Sequence, residues 1–175
     1  MIVVFTGNGK GKTTATIGQM LRAVGQGRKT IMFQFIKGPW TSGEHKFLKL
    51  HKSLKGKLEI HREGKGFVGI LGDKLPIEVH KKAAQEALKK SAQAIKSKKW
   101  DIVALDEVNV AVSLGLIKAG EVLKVIKNEP QKMIVVLSGR GAPDNFIKRA
   151  DLVTEMKEIK HPFNSGKKAE VGFEW

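Results

Sequence analysis

A glycine-rich segment near the start of the chain contains the residue types that bind phosphate. It reads Thr6-Gly7-Asn8-Gly9-Lys10-Gly11-Lys12-Thr13-Thr14. In a loop of this type, backbone N–H groups and a helix N-terminus surround phosphate oxygens, a lysine bridges them, and a hydroxyl binds magnesium. The ending Gly11-Lys12-Thr13 supplies the lysine and the hydroxyl. The segment is therefore predicted to be a P-loop that binds a nucleotide.

The spacing of this loop differs from that of the usual P-loop motif. The motif places four residues between its first glycine and its final glycine, whereas only three residues separate Gly7 from Gly11. Counting four residues places Thr6 in the first position, so we expect the phosphate chain to be held in an unusual way. A plain glycine turn is disfavoured by the flanking strand and helix. A dinucleotide-binding loop is disfavoured because strand two ends in Gln34-Phe35, without an acidic ribose ligand.

An acidic pair, Asp106-Glu107, directly follows the apolar run at residues 102–105. This is the position of a Walker B carboxylate, because the ends of parallel strands gather at one edge and a carboxylate there can reach magnesium held by Thr13. An aspartate that only caps the next helix is the alternative, which the P-loop in the same chain disfavours. We therefore predict Thr13, Asp106 and Glu107 as ligands of Mg²⁺ or Mn²⁺.

A second polar turn, Ser138-Gly139-Arg140-Gly141, follows a later apolar run at the same predicted edge. The Arg140 guanidinium could neutralise phosphate charge there, and a surface arginine in a turn is the alternative. The five histidines, at positions 45, 51, 61, 80 and 161, lack the convergent spacing of metal ligands and have no companion cysteine. We therefore expect the histidines to be structural.

The elements that must position these residues alternate between strands and helices. Apolar runs predict strands at residues 2–5, 30–35, 58–61, 102–105, 133–137 and 152–156. Helical spacing and end signals predict helices at about residues 14–25, 44–54, 76–98, 121–128 and 143–150. Alternation of this kind predicts an α/β fold, with a mostly parallel central sheet covered by helices on both faces.

Two segments do not fit the alternation. Residues 65–74 carry Gly66, Gly69 and Gly72 among exposed-looking apolar residues, which predicts a mobile surface loop that could act as a lid. Residues 161–175 contain turn residues followed by a mixed end, and no element is predicted for them.

Length and composition limit the class of protein. A chain of 175 residues is expected to form a single domain, residues 1–175, with its own core. Lysine and arginine total 32 against 17 acidic residues, and the net charge of +15 favours anionic partners. The absence of cysteine excludes disulfides and thiolate chemistry, so we expect a cytoplasmic protein. No apolar run is long enough for a signal peptide or a membrane span.

The charge and the P-loop together allow a second hypothesis, a RecA-like ATP-dependent nucleic-acid-binding protein. The basic residues are spread through the chain, and aromatic residues make up only 6% of it. Both features disfavour a nucleic-acid interface, and the lysine-rich helix at residues 76–98 is more simply a solvated face.

Several blocks of the chain resemble, in order and spacing, the P-loop class of ATP:corrinoid adenosyltransferases. They are residues 4–14, 22–25, 34–38 with Gly43-Glu44, 105–107, 138–141, 150–155, and 160–163 with Gly166. The blocks extend over nearly the whole chain. Their combination with the shortened P-loop makes the resemblance specific.

The resemblance implies a single-domain, three-layer RecA-like fold, a homodimer, and transfer of the 5′-deoxyadenosyl group of ATP to a reduced corrinoid, with triphosphate as the leaving group. A reductase or flavoprotein would supply electrons to cobalt. Lys12 and Arg140 would stabilise the triphosphate, and Phe67 would face the corrinoid. The nucleotide would contact the loop residues and, on its nucleoside side, Arg22; the loop residues are Gly7, Asn8, Gly9, Lys10, Gly11, Lys12, Thr13 and Thr14. A module that carries corrinoid without catalysis is a third hypothesis.

The sequence departs from this family in two respects. The family's corrinoid-facing loop often carries a Phe and, two residues later, a Trp, which help to activate cobalt(II). Phe67 matches the first residue, but Gly69 stands at the second position, and Trp40 or another group could substitute for the missing ring. Relatives can also carry an N-terminal extension that covers the site, whereas this sequence begins at its first predicted strand. Capping of the site is therefore expected to come from elsewhere or to be absent.

Overall fold

The protein is built on one six-stranded parallel sheet. Its computed structural model describes residues 1–70, 72–127 and 129–173. The strands are β1 (Ile2–Thr6), β2 (Thr30–Gln34), β3 (Leu58–Arg62), β4 (Ile102–Asp106), β5 (Ile134–Ser138) and β6 (Leu152–Glu155). They lie in the order β3-β2-β4-β5-β1-β6, and every neighbouring pair is parallel. All six predicted strands are present, and each of their ends agrees with the prediction to within one residue.

Six α-helices accompany the sheet in the described part of the chain. They are α1 (Lys12–Gly25), α2 (Gly43–Leu50), α3 (Ile77–Ser97), α4 (Val108–Ser113), α5 (Ala119–Ile126) and α6 (Asp144–Arg149). Two short 3-10 turns, Lys52–Leu54 and Pro162–Ser165, complete the elements. None of the helices in the described ranges is long and apolar enough to cross a membrane.

The helices show where the sequence prediction was wrong in detail. The helix predicted at residues 44–54 ends at Leu50, because His51 leaves the helical conformation and a separate 3-10 turn follows it. Helix α1 begins at Lys12, two residues before its predicted start, and α5 begins at Ala119 instead of residue 121. Asn128, the predicted end of that helix, lies outside the described residues.

Helix α4 was not predicted from the sequence. It has only six residues, and its apolar composition offers no amphipathic period to distinguish it from the strand before it. It begins immediately after Glu107, which has a positive φ of 60°. A sharp turn therefore separates β4 from α4 and leaves the acidic pair at the end of the strand.

Alternate residues of each inner strand face two separate cores. Val3, Met32, Ala104 and Val136 pack with Met20 of α1 on one face. A larger cluster lies on the opposite face. Residues of the strands pack there against residues of helices α3, α4, α5 and α6; the strand residues include Val4, Phe33, Leu105 and Leu137. These buried faces build three layers, helix, sheet and helix, around strands whose carboxyl ends share one edge.

The outermost strand, β6, departs from the expectation of a sheet covered on both faces. All four of its residues are exposed, including Leu152 and Val153. Strand β6 pairs only with β1, and no helix returns across it in the described part of the chain. The prediction failed here because an apolar run does not reveal whether its strand lies inside the sheet or at its edge.

Candidate active site

The predicted P-loop connects β1 to α1 and folds around the ammonium of Lys12. Lys12 is the first residue of α1, and its Nζ donates hydrogen bonds to the Gly7 carbonyl at 2.8 Å and the Gly9 carbonyl at 2.6 Å. Burial lowers the pKa of Lys12, while the nearby carboxylates of Glu107 and Asp106 oppose that shift. The ammonium therefore lies inside the loop, at the N-terminus of a helix, where an anion is favoured.

The glycines of the loop allow it to pack closely against the chain that follows β6. A Cβ on Gly7, which has a φ of +93°, would lie 2.4 Å from the Met156 carbonyl oxygen. A Cβ on Gly9 would lie 2.7 Å from the Lys157 carbonyl oxygen, and the Gly9 N–H donates to the Met156 carbonyl at 2.7 Å. The unusual spacing of this loop therefore accompanies a direct backbone contact that admits no side chain.

Thr6 occupies the position at which the usual motif has its first glycine. Its hydroxyl accepts a hydrogen bond from the Ala142 N–H at 3.1 Å, and its carbonyl accepts one from the Met156 N–H at 2.8 Å. Thr6 thus connects the loop to the turn that contains Arg140 and to the strand at the edge of the sheet.

The acidic pair lies beside the loop, as the Walker B interpretation predicts. Asp106 is buried, and its Oδ1 accepts hydrogen bonds from the Thr13 hydroxyl at 2.9 Å and the Ser138 hydroxyl at 2.5 Å. Burial raises the pKa of Asp106 despite these hydrogen bonds. The Glu107 N–H donates to the same Ser138 hydroxyl at 3.2 Å. The ends of β4 and β5 thus bring both carboxylates to the start of α1.

The electrostatics of Glu107 show an excess of buried negative charge. Burial and the adjacent Asp106 raise the pKa of Glu107 to about 7, although Lys12, Arg140 and Lys37 act in the opposite direction. Two carboxylates and a hydroxyl are hard oxygen donors, which suit a small divalent cation such as Mg²⁺. A cation would also relieve the repulsion between the two acids, so Thr13, Asp106 and Glu107 fit the ion that the sequence predicts.

Phosphate oxygens would have to complete the coordination of such an ion. Within the described ranges, no group of three or more His, Cys, Asp or Glu residues could hold a metal. Magnesium commonly binds through one or two carboxylates together with substrate phosphates. The two carboxylates and the Thr13 hydroxyl therefore fit an ion that shares its coordination with phosphate oxygens.

The other predicted site residues lie at different distances from this centre. Arg140 is exposed on the turn after β5, near enough to influence the pKa values of Lys12 and Glu107. Asn8 and Thr14 are exposed at the loop and at the start of α1. Arg22 lies in the last turn of α1, about 15 Å along the helix axis from Lys12. The structure thus groups Arg140 with the loop and the carboxylates but places Arg22 well away from them.

The C-terminal segment also reaches the phosphate loop. The ammonium of Lys10 lies 4.3 Å from the centre of the Phe173 ring, a cation–π contact. This contact places residues near the end of the described chain at the rim of the loop. No element was predicted for that segment from the sequence.

A second concave region, of mixed aromatic and polar lining, lies around Phe67. The rings of Trp40 and Phe67 stack with their centres 5.6 Å apart and their planes at 27°. They line a cavity of about 530 Å³; the other lining residues are Thr41, Lys65, Gly66, Ile70, Gly72 and Asp73. Arg62 donates to the carbonyls of Pro39 and Trp40, each at 2.7 Å, and so holds the Trp40 backbone in place. Phe67 is therefore one wall of a supported cavity.

Glycines make room for the Trp40 ring. A Cβ on Gly38 would lie 2.7 Å from a carbon of that ring, and a Cβ on Gly66 would lie 3.0 Å from it. Gly69 differs, since a Cβ there would meet nothing within 4 Å. The predicted substitution of Trp40 for a ring at position 69 thus has a structural counterpart, because Trp40 is the ring that stacks on Phe67.

Sequence reasoning left Lys37 and Glu44 out of the site. They follow β2, which pairs with β4 so that Gln34 lies beside Asp106. Lys37 and Glu44 form an ion pair at 2.6 Å, and Lys37 influences the pKa values of both members of the acidic pair. Both residues lie in blocks that carry the family resemblance, residues 34–38 and Gly43-Glu44. Their place beside Asp106 could not be predicted, because the order of the strands was unknown.

Comparison with known proteins identifies the family of this chain. Residues 1–175 match the family described as ATP:corrinoid adenosyltransferase BtuR/CobO/CobP. The chain belongs to the ATP:corrinoid adenosyltransferase family. The resemblance inferred from blocks of the sequence is therefore confirmed.

Individual relatives of this adenosyltransferase are similar over its full length. A corrinoid adenosyltransferase from Escherichia coli strain K12 is 35% identical over 100% of this chain and 85% of its own length. One from Sinorhizobium is 38% identical over 100% of this chain and 80% of its own, and one from Pseudomonas aeruginosa is 37% identical over 100% and 83%. The match therefore extends beyond the phosphate loop.

A solved structure shares the fold of this adenosyltransferase. The flagellar accessory protein FlaH from Methanocaldococcus jannaschii matches with a TM-score of 0.57, covering 88% of this chain and 69% of FlaH. The sequence identity is 11%, so the likeness concerns the fold alone. It confirms the predicted RecA-like α/β fold with a parallel sheet.

Proposed function

We propose that this protein transfers the 5′-deoxyadenosyl group of ATP to the cobalt(I) of cobalamin or a precursor corrinoid and releases triphosphate. The observation that carries the proposal is the family match over residues 1–175. The site is consistent with it, because a phosphate loop with paired carboxylates and an aromatic cavity follow neighbouring parts of one sheet edge. ATP and the corrinoid are the two substrates.

The reaction forms a cobalt–carbon bond and breaks the bond between the 5′ carbon and the triphosphate oxygen. The electron pair of cobalt(I) attacks the 5′ carbon, and the electrons of the broken bond leave with triphosphate. Cobalt(I) is a strong nucleophile, so the protein needs no general base. Its task is to orient the 5′ carbon and to stabilise the charge that develops on triphosphate.

The P-loop supplies most of this stabilisation. On binding, phosphate oxygens would replace the Gly7 and Gly9 carbonyls as partners of Lys12. The backbone N–H groups of the loop and the Thr14 end of α1 would contact the same oxygens, and Asn8 and Lys10 would line the site. Arg140 would neutralise charge from the turn after β5, and Arg22 would lie towards the nucleoside.

Thr13, Asp106 and Glu107 would hold Mg²⁺ or Mn²⁺. The ion, when bound, supplies positive charge that lowers the energy of the departing triphosphate. Glu107 is assigned to the ion and not to activation of water, because a base that activated water would hydrolyse ATP without transferring the adenosyl group. The hydroxyl of Ser138 keeps Asp106 oriented for this role.

The corrinoid would bind beside the Trp40–Phe67 pair. Apolar and aromatic surfaces suit a large, flat macrocycle, and Phe67 would face it. With Gly69 in place of the family's tryptophan, Trp40 would supply the second aromatic ring. A reductase or flavoprotein would deliver the electrons that produce cobalt(I).

The proposal also covers the domain, the cellular compartment and the oligomeric state. Residues 1–175 would act as a single adenosyltransferase domain in cobalamin biosynthesis, within the cytoplasm. Two copies would form a homodimer, which light scattering would detect as twice the chain mass of 19.3 kDa.

The proposal predicts that Lys12→Ala abolishes adenosyl transfer while leaving the fold intact. The assay is anaerobic: chemically reduced cob(I)alamin, ATP and Mg²⁺ are mixed, and the absorbance change and light sensitivity of the product are followed. The wild type should form a photolabile product with one triphosphate per cobalt. Circular dichroism of the variant provides the folding control.

Two outcomes of this assay would count against the proposal. Near-normal transfer by Lys12→Ala would exclude the assigned role of the P-loop lysine. Persistence of cob(I)alamin in the presence of bound ATP would favour a carrier of corrinoid, provided that precursor corrinoids also fail to react.

A further inference from the structure

Lys37 is a cation near the acidic pair that the proposed function leaves without a role. Lys37 follows β2, and the Phe35 N–H in the same segment donates to the Asp106 carbonyl at 2.9 Å. Lys37 acts on the pKa values of Asp106 and Glu107, in the same direction as Lys12 and Arg140 act on that of Glu107. Cationic side chains that follow three different strands, β1, β5 and β2, thus influence the acidic pair.

The Lys37 side chain is held in place by a short chain of polar contacts. Its Nζ lies 2.6 Å from Glu44 Oε1, which also accepts a hydrogen bond from Gln34 Nε2 at 3.3 Å. The same Gln34 nitrogen lies 3.5 Å from Asp106 Oδ2. These contacts run from the start of α2 to the carboxylate that accepts the Thr13 hydroxyl.

The ion pair is enclosed by the protein. The exposed fractions of the Lys37 and Glu44 side chains are 22% and 14%. Burial opposes ionisation of Glu44, but hydrogen bonds from Lys37 and Ser42 prevail and lower its pKa to about 2. Glu44 is therefore charged at neutral pH. Enclosed ion pairs add little net stability, because desolvation offsets their attraction. A role in binding explains the position of this pair better than a role in stability.

The polar contacts also leave one acceptor without a partner. Gln34 is fully buried, and its Oε1 has no hydrogen-bond partner among the residues that the structure describes. Buried polar atoms are normally satisfied, so this acceptor indicates that a further donor, such as a water molecule or an ammonium N–H, belongs beside Asp106.

We propose that Lys37 is a third cation that binds the triphosphate part of the nucleotide, and that Glu44 keeps its ammonium in place until that anion arrives. The inference rests on the proposed function in that ATP is the natural ligand. On binding, a phosphate oxygen takes a hydrogen bond that Lys37 gives to Glu44. The same contact strengthens as triphosphate leaves, because the departing oxygen gains negative charge.

The first test compares two ligands, one that represents the triphosphate part of ATP and one that represents its nucleoside part. Inorganic tripolyphosphate with Mg²⁺, and adenosine alone, are titrated into the wild type and Lys37→Met by calorimetry. Loss of a charge-assisted hydrogen bond should weaken tripolyphosphate binding about ten-fold. Adenosine affinity should not change. Lys46→Met, which removes an exposed lysine from α2, the helix that carries Glu44, is the matched control and should leave both affinities unchanged.

A second variant separates binding from structural support. Glu44→Gln removes the competing carboxylate, so it should retain or strengthen tripolyphosphate binding. If Glu44→Gln weakens this binding as much as Lys37→Met does, the pair is structural and the proposal is wrong. Equal tripolyphosphate affinity in the wild type and Lys37→Met, or no binding to the wild type, would also overturn it.

Two further arms keep the test decisive. If Lys37→Met does not fold, Lys37→Arg should retain tripolyphosphate affinity, and Glu44→Gln should again not reduce it. Because no corrinoid is present, the binding result is independent of adenosyl transfer. Loss of tripolyphosphate affinity in Lys37→Met would support the inference even if no cobalt–carbon bond formed.

Discussion

Glu107 combines an unusual backbone conformation with a perturbed carboxyl pKa. It has a φ of 60°, which residues other than glycine rarely adopt, and a Cβ on Gly139 would lie 3.2 Å from its Oε2. Its carboxylate is buried beside Asp106, and both carboxyl pKa values are raised. The free protein therefore carries an electrostatic cost at the same position where a cation and a nucleotide would remove it.

This cost predicts a pH dependence of stability that Glu107→Gln removes. The pKa of Glu107 is about 7 in the folded protein, against 4.5 for an unperturbed glutamate. Between pH 4.5 and pH 7 the folded state binds more protons at this site than the unfolded state. The free energy of unfolding therefore decreases as pH rises from about 4.5 to 7. The fall attributable to Glu107 is at most about 3 kcal/mol.

Urea unfolding at pH 5 and pH 8, without ATP or divalent metal, measures this effect. Glu107→Gln should match the wild type at the lower pH and exceed its stability at the higher pH. Taking the difference between the two proteins removes the contribution of other groups, such as His45, whose pKa burial lowers. Parallel pH profiles for the two proteins would contradict the prediction.

At the scale of elements, the loop at residues 65–74 is attached to helix α3. Asp73 Oδ2 accepts hydrogen bonds from the Gly69 N–H at 2.9 Å and from the His80 side chain at 3.0 Å. Asp73 Oδ1 accepts a third from the Leu75 N–H at 3.1 Å. The segment that carries Phe67 is therefore fixed at its far end by a single carboxylate, and a buried histidine of α3 supports it.

Removal of this carboxylate should loosen the loop and weaken binding of the corrinoid. Asp73→Ala is expected to accelerate hydrogen exchange of the Gly69 amide by about ten-fold, because its acceptor is lost. The KM for corrinoid should rise while the affinity for ATP stays unchanged. Hydrogen-exchange mass spectrometry and steady-state kinetics measure the two effects.

Glu59→Ala is the matched control for Asp73→Ala. It also removes a carboxylate paired with a histidine, His61, but on β3 and with greater exposure. It should alter neither the exchange of Gly69 nor the KM for corrinoid. An equal rise in the KM for both substrates in Asp73→Ala would indicate general destabilisation instead of a loosened loop.

At the scale of the whole molecule, the net charge of +15 does not by itself indicate a nucleic-acid partner. Such a charge attracts any polyanion, and the P-loop alone would be compatible with a nucleic-acid-dependent ATPase. The structure brings Lys12, Arg140 and Lys37 to one sheet edge, where all three lower the pKa of Glu107 against the effect of burial. The remaining charge needs no specific partner.

We therefore expect nucleic acid to leave adenosyl transfer unchanged. Addition of single-stranded DNA at physiological salt should alter neither the rate of cobalt–carbon bond formation nor the hydrolysis of ATP. Any binding of DNA should decrease steeply as salt is raised, as expected for a non-specific charge effect. Strong stimulation of ATP hydrolysis by DNA would instead support the nucleic-acid hypothesis.

The sequence by itself determined the elements that local patterns control. Each strand has four or five residues, and the P-loop and the acidic pair lie at the carboxyl ends of two of them. Periodicity reports which residues are buried, and turn residues report where the chain reverses. The α/β fold, the sheet edge and the pairing of Thr13 with Asp106 could therefore be anticipated. The short helix α4 could not, because it has too few residues to show a period.

Only the tertiary structure decided which strands are neighbours. Gln34 and Asp106 are 72 residues apart in the chain, and their contact exists because β2 pairs with β4. The packing of Gly7 and Gly9 against the segment after β6, and of Trp40 on Phe67, likewise joins distant parts of the sequence. Hydrophobic periodicity is unchanged by the order of the strands, so no local pattern could reveal these contacts. The position of Lys37 near the acidic pair was decided by that order.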